Sequence, residues 1–267
     1  MHPMSANRSL LMAVACLECG ASLPADPGLE SCAACGSAWL DARYDLAALP
    51  ADWPARVAAR PLDLWRYHEL LPLDERCLPI GLGEGWTPLL AAGRLAADLG
   101  HGRLWIKDER RQPTGSFKDR QAALTVSLLA SRGQGELVLA STGNAAAAYA
   151  ACCARAGIKL WVFLTGGLPA EKMRELALYG AEAITINGSY DQAKSIAADF
   201  ARRRGLRYDQ GAKAVAGKEG MKTIAFEIAE QLGRLEQEGL GPDQPDPDAP
   251  DPDRPVPRYA GPGTDPA

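Results

Sequence analysis

Histidine is almost missing from this 267-residue chain: His2, His68 and His101 are all it has, and none adjoins a motif. That argues against a histidine-based hydrolase and a histidine metal site, and His68, beside Tyr67 and near Trp65, reads as packing. No apolar run approaches the about 20 residues that a membrane-spanning helix needs. The stretch Leu10-Leu11-Met12-Ala13-Val14-Ala15 after Arg8 is too short for a secretory signal, so the chain is expected to be cytoplasmic. Basic residues form no stripe, and the net charge is -4, which argues against nucleic acid or an anionic membrane as a partner.

The negative balance has a local origin. Residues 241–267 hold six aspartates, two arginines and nine prolines in a Pro-Asp-Pro-Asp pattern with no apolar face, so this tail is expected to be disordered or polyproline-like. What precedes it can build a core, since 47% of the whole chain is apolar.

Apolar runs and helical stretches alternate along the body. The patterning predicts strands over 103–107, 136–140, 158–164 and 181–186, and helices over 116–131, 144–156, 169–179, 190–204 and 218–232. Short buried strands separated by helices of this length imply an α/β fold: a doubly wound, largely parallel sheet with helices on both faces. Residues 41–80, with Trp53, Pro54, Pro61, Trp65, Pro72 and Pro79, read as a connector of short helices and turns.

Near the amino terminus, Cys16-Leu17-Glu18-Cys19 and Cys32-Ala33-Ala34-Cys35 form two Cys-x-x-Cys knuckles twelve residues apart, each followed by glycine. This is zinc-ribbon spacing, with Cys16, Cys19, Cys32 and Cys35 as the ligands of a structural zinc; a metal-free ribbon or two redox pairs are the alternatives. Cys77, Cys152 and Cys153 lack ligand spacing and read as reduced core residues.

The chemistry concentrates in two later motifs. Pro113-Thr114-Gly115-Ser116-Phe117-Lys118-Asp119-Arg120 sets a lysine at the start of an apolar helix, with Ser116 as the expected cap. A free lysine stays charged near pH 7, whereas desolvation and the positive end of a helix dipole lower its pKa toward what Schiff-base chemistry requires. Ser141-Thr142-Gly143-Asn144 links an apolar run to an alanine-rich helix, and amides at such a turn bind carboxylate or phosphate. A lone lysine is most often a solvated helix residue and a lone Ser-Thr-Gly-Asn a capped turn. Their combination points to a pyridoxal phosphate site that holds an amino acid.

With Gly83-Glu84-Gly85-Trp86-Thr87-Pro88-Leu89, Ile106-Lys107-Asp108-Glu109, Lys172, Tyr179-Gly180-Ala181 and Glu219-Gly220-Met221-Lys222-Thr223, these motifs resemble the threonine synthase branch of the fold-type II pyridoxal phosphate enzymes. The resemblance covers roughly residues 80 to 233. It implies that Lys118 forms the Schiff base with pyridoxal 5'-phosphate and then moves a proton, that Phe117 packs by the cofactor ring and that Asn144 bonds its 3-hydroxyl oxygen. Ser141 and Thr142, with the amides of Gly143 and Asn144, would hold the substrate carboxylate. Family members of this type convert O-phosphohomoserine to threonine and phosphate, and they often begin with a similar zinc ribbon.

Two departures accompany the resemblance. Ala214 and Gly217 stand where the family usually has an asparagine and an arginine for the substrate phosphate, leaving Lys213 or Lys218 as replacements that lack arginine's bidentate fork. The family also continues into a glycine-rich phosphate loop where this chain enters its Pro/Asp tail. The expected organisation is therefore a zinc-ribbon-like segment over 1–40, the connector over 41–80, a truncated catalytic region over 81–240 and the tail. The expected partner is a small amino-acid substrate, and a homo-oligomer is left open. Alternatives are a dehydratase or beta-replacement enzyme, or a non-catalytic fragment acting as an interaction module.

Overall fold

The computed structural model describes residues 9–73, 77–167 and 169–237, so the expected tail over 241–267 lies outside the described residues. The amino-terminal apolar stretch is a strand, Leu11–Cys16 (β1), which buries Val14 and Cys16 and pairs antiparallel with Ser22–Leu23 (β2) and Leu40–Tyr44 (β3). The ribbon sheet thus closes with β3, past residue 40. The connector holds a short helix, Trp53–Ala58 (α1), with Pro54 in its first turn, and an irregular 3-10 segment over Leu64–Leu70 capped by Asp63, which accepts from the Trp65 amide at 2.9 Å.

By contacts the chain divides into two units, Met1–Thr87 with Glu109–Glu227, and Pro88–Asp108 with the residues from Ile228 on. The smaller contains Leu89–Ala91 (β4), Gly93–Asp98 (α2) and Trp105–Lys107 (β5), with β4 and β5 paired antiparallel. The strand expected over 103–107 is therefore shorter and belongs to this hairpin-like pair rather than to the parallel sheet. Periodicity identifies an extended segment but carries no information on its partner.

The larger unit carries the sheet that organises the site. Its elements are Lys118–Ser131 (α3), Glu136–Ala140 (β6), Asn144–Ala156 (α4), Lys159–Thr165 (β7), Ala170–Leu178 (α5), Glu182–Ile186 (β8), Tyr190–Arg204 (α6), Arg207–Tyr208 (β9) and the long helix Val215–Gln237 (α7), whose last residues pass into the smaller unit. Strands run β8-β7-β6-β9, all parallel. Alternation along the strands assigns the faces: Leu137, Leu139, Leu160, Val162 and Leu164 join the core made with α3 and α4. Val138, Ala140 and Phe163 face Ala197 and Ala201 of α6 on the other side. Helices thus cover both faces of a doubly wound parallel sheet.

The chain steps outward from β6 to β8 and then returns to β9 on the opposite side of β6, which makes the gap between β6 and β9 a topological switch point. β9 escaped the sequence reading because two residues are too few for a period. α7 begins three residues before its expected start because Val215 is wholly buried in the ribbon cluster with Val14, Cys16, Cys32 and Leu40.

Candidate active site

Lys118 is the first residue of α3. Ser116 does not cap this helix through its side chain as expected. Phe117 occupies the cap position in a helical conformation, and Ser116 Oγ only receives the Lys118 amide at 3.3 Å. The turn is closed by Asp119 instead. Its buried carboxylate accepts from the Thr114 amide at 2.9 Å and from Thr114 Oγ1 at 2.5 Å, which holds the Pro-Thr-Gly-Ser turn against the helix start.

The Lys118 amine donates to Gln121 Oε1 at 3.1 Å and lies 4.7 Å from the centre of the Phe117 ring. Burial lowers its pKa from the ordinary lysine value, and the Asp209 carboxylate opposes that effect. The amine sits on the wall of a cavity of about 500 Å³. Small-molecule and cofactor sites typically span roughly 300–1,000 Å³, so the space suits a cofactor-sized ligand. Leu139, Ala140 and Ser141 at the carboxyl end of β6 form one side, and Tyr208 at the end of β9 with Asp209, Gln210 and Gly211 after it form the other. Tyr190, Lys194 and Ser195 of α6 add a third wall. The cavity therefore occupies the switch point of the sheet.

Lys118 and Ser141 share this cavity, whereas the rest of the second motif lies differently. Thr142 and Gly143 line a separate small void with Ala146, Ala147, Lys172, Glu175 and Leu176. Ser141 Oγ receives the Gly143 amide at 3.3 Å, Asn144 begins α4 with an exposed side chain, and Phe117 is exposed. Of the two lysines considered for an anionic substrate group, Lys213 lines the cavity, with its amine 5.5 Å from the Trp39 ring centre. Lys218 points elsewhere and donates to the Leu40 carbonyl of β3.

Sequence reasoning missed Gln121, Tyr149, Asp209, Tyr190, Lys194 and Tyr208. None falls in a motif, and the signal that could have singled out Asp209 is an acidic residue directly after a short β-prone pair. It also missed the role of Arg120. This arginine is wholly buried and is bound by Glu109 (2.8 Å to each nitrogen involved), by Glu227 at 2.5 and 2.8 Å and by Thr223 at 2.9 Å, while Thr87 also donates to Glu109 at 2.6 Å. The upstream and downstream motifs thus meet at one guanidinium. α7 approaches α3 so closely that a Cβ on Gly220 would lie 2.4 Å from the Arg120 carbonyl oxygen.

The four amino-terminal cysteines converge. Their sulfurs all lie within 4.8 Å of one another, with Cys16–Cys35 at 3.6 Å and Cys19–Cys32 at 3.7 Å. Four thiolates about 2.3 Å from one zinc would stand about 3.8 Å apart, so the cluster fits a tetrahedral metal. The knuckles are built alike: Gly20 donates to the Cys16 carbonyl and Gly36 to the Cys32 carbonyl. The backbone amide of Cys19 is the main influence drawing the Cys16 thiol down to about 7.

The family described as pyridoxal-phosphate dependent enzyme matches residues 80–249, and the chain belongs to that family. Threonine synthase of Methanosarcina acetivorans is 35% identical over 218 residues, covering 81% of this chain and 53% of that protein. Threonine synthase of Mycobacterium leprae is 37% identical over 186 residues, covering 68% and 48%. The chain thus spans about half the length of these curated relatives. Among solved structures, maize serine racemase superposes with a TM-score of 0.51 at 25% identity, covering 56% of this chain and 45% of the other. Diaminopropionate ammonia lyase from Escherichia coli, in complex with D-serine, reaches 0.54 at 20% identity over 58% and 47%, a likeness of fold alone. Among the described residues no helix is long and apolar enough to cross a membrane.

Proposed function

We propose that this chain provides the lysine-bearing part of a pyridoxal phosphate-dependent lyase site of the threonine synthase type, acting on a small amino acid. The observation that carries this reading is the amine of Lys118 on the wall of a cofactor-sized cavity at the sheet's switch point, with its pKa lowered by burial.

When bound, the cofactor supplies an aldehyde for amine capture and an electron sink. Lys118 Nζ would be the amine that holds that aldehyde, and the same nitrogen would serve as the base that moves the proton next to the substrate carboxylate. Ser141, which lines the cavity with Lys118, would orient that carboxylate; Phe117 and Asn144 lie outside the cavity lining, so a role for either at the cofactor rests on the family resemblance alone. Tyr190 of α6 borders one side of the cavity and donates to the Ala140 carbonyl at the end of β6. Lys213 and Lys194 are the cations available to a substrate's anionic group, taking the place of the arginine fork absent at Gly217. The four-cysteine cluster holds a structural zinc.

The test is reconstitution with pyridoxal phosphate. A lysine-dependent absorbance band near the visible edge is expected, and Lys118→Ala should abolish it; a band that survives the substitution, or no band at all, rejects the reading. Substrate class follows from products. Phosphate release from O-phosphohomoserine supports the threonine synthase reaction, and ammonia release from hydroxy amino acids supports a dehydratase.

A further inference from the structure

Asp209 follows β9 and is buried, with an edge on the cavity; burial pushes its carboxyl above the usual carboxylate range, and the hydrogen bonds from Tyr149 and Gly211 with the charges of Arg207 and Lys118 oppose that shift and favour the carboxylate. Each carboxylate oxygen is engaged. Oδ2 accepts from the Tyr149 hydroxyl at 2.7 Å and Oδ1 accepts from the Gly211 amide at 2.8 Å. Tyr149, also fully buried, receives Gln121 Nε2 at 3.2 Å and has Thr125 Oγ1 at the same distance. Gln121 Oε1 in turn receives the Lys118 amine at 3.1 Å. A continuous line of hydrogen bonds therefore runs from the carboxylate through α4 and α3 to the amine, and both of its ends line the cavity.

Space has been left for this line. A Cβ on Gly217 would stand 2.9 Å from Gln121 Cγ, so the glycine in α7 is what lets Gln121 take its place beneath the amine. The surrounding charges single out Asp209. The other titratable groups on the cavity are Lys194 and Tyr190 from α6, Lys213 from the turn before α7, and Tyr208 from β9; Arg207 and Cys153 also lie near Asp209. Among the described residues lining the cavity, Asp209 is the only carboxylate.

We propose that Asp209 is the positioning residue of Lys118: through Tyr149 and Gln121 it pins the amine to the cavity wall, and its charge is the amine's counter-charge. This deepens the proposed lyase reading and rests on it. Without the anchor, Gln121 would be free to turn and the amine would lose its seat; without the charge, the neutral amine would form at lower pH.

The experiment uses the full chain as isolated and a probe that is not the cofactor. Lys118 is labelled with trinitrobenzenesulfonate across a pH series, and the modified peptide is quantified by mass spectrometry with exposed Lys159 as internal reference. Asp209→Asn is expected to move the Lys118 midpoint to lower pH and to label it several-fold faster at pH 7, whereas Asp209→Glu keeps the wild-type midpoint. A folded Asp209→Asn protein with an unmoved profile overturns the proposal. Should that variant fail to fold, Tyr149→Phe severs the same line with the charge retained. It is expected to raise the limiting rate at high pH without shifting the midpoint, and a wild-type limiting rate would likewise overturn it. The readout needs no cofactor, so failure of cofactor binding and failure of this proposal are separable.

Discussion

Tyr44 of β3 donates a 2.6 Å hydrogen bond to Glu219 of α7, which fastens the cysteine-bearing sheet to the helix that follows the cavity wall. Burial and the neighbouring Glu219 carboxylate push the Tyr44 phenol far above its ordinary range, so it remains a donor. Lys218 repeats the attachment at Leu40, and Val215 enters the apolar cluster beside Cys16 and Cys32. The segment 209–215 therefore takes its course partly from the ribbon.

Metal removal should travel along this connection. If the chain is loaded with zinc and then stripped with an organomercurial and a chelator, amide exchange is expected to speed up in 11–44 and also in 209–219, while the β6–β7 region stays protected. Faster exchange confined to 11–44 would show that the ribbon does not support the wall.

Arg120 should be among the most costly single changes. Arg120→Met removes the guanidinium that bonds the buried Glu227 carboxylate, and breaking such a pair destabilises by about 3–5 kcal/mol. Urea unfolding followed by circular dichroism measures the loss. The double variant Arg120→Met with Glu227→Met should recover much of it, and a single variant within about 1 kcal/mol of wild type contradicts the hub.

Acid should act through the same cluster. Burial by itself would raise the Glu109 carboxyl, but its hydrogen bonds from Arg120, with those from Thr87 and Gln112, hold it below the ordinary value. A folded pKa below the unfolded one, about 4.3, gives stability that is fully present above that value and lost as pH falls through the lower folded value. The urea midpoint is thus expected to decline below about pH 4, and Glu109→Gln to flatten that decline. An acid limb of unchanged slope in the variant would remove Glu109 as its source. Glu69, depressed by Arg60 and His68 against its own burial, adds a parallel contribution.

Two glycines of α7 offer a contrast in sign. Gly220→Ala drives a methyl into the Arg120 carbonyl and should cost about 1–3 kcal/mol. Gly233→Ala meets open space and should stabilise by about 0.5–1 kcal/mol. Thermal unfolding of the two variants side by side checks the pair, and equal shifts would deny the close approach of α3 and α7.

Much of this was readable from local pattern. Lys118 at a helix start, the two cysteine knuckles, β6 with α4 at their observed bounds and the span of α6 all follow from spacings of a few residues, because turns, caps and helix faces are local physics. The helix cap was misassigned for a related reason. Ser116 and Asp119 are both competent acceptors near the turn, and only packing selects which one faces inward.

By itself, then, the amino-acid order determined the longer strands and helices of the body, which lysine stands at a helix start and which thiols can meet. The tertiary structure alone decided that β9 returns beside β6, that Arg120 finds Glu227 and that Tyr149 finds Asp209. Those partners are 107 and 60 residues apart. Their pairing depends on how the sheet is wound and on the cost of burying a polar group unpaired, and neither leaves a periodic trace in the chain.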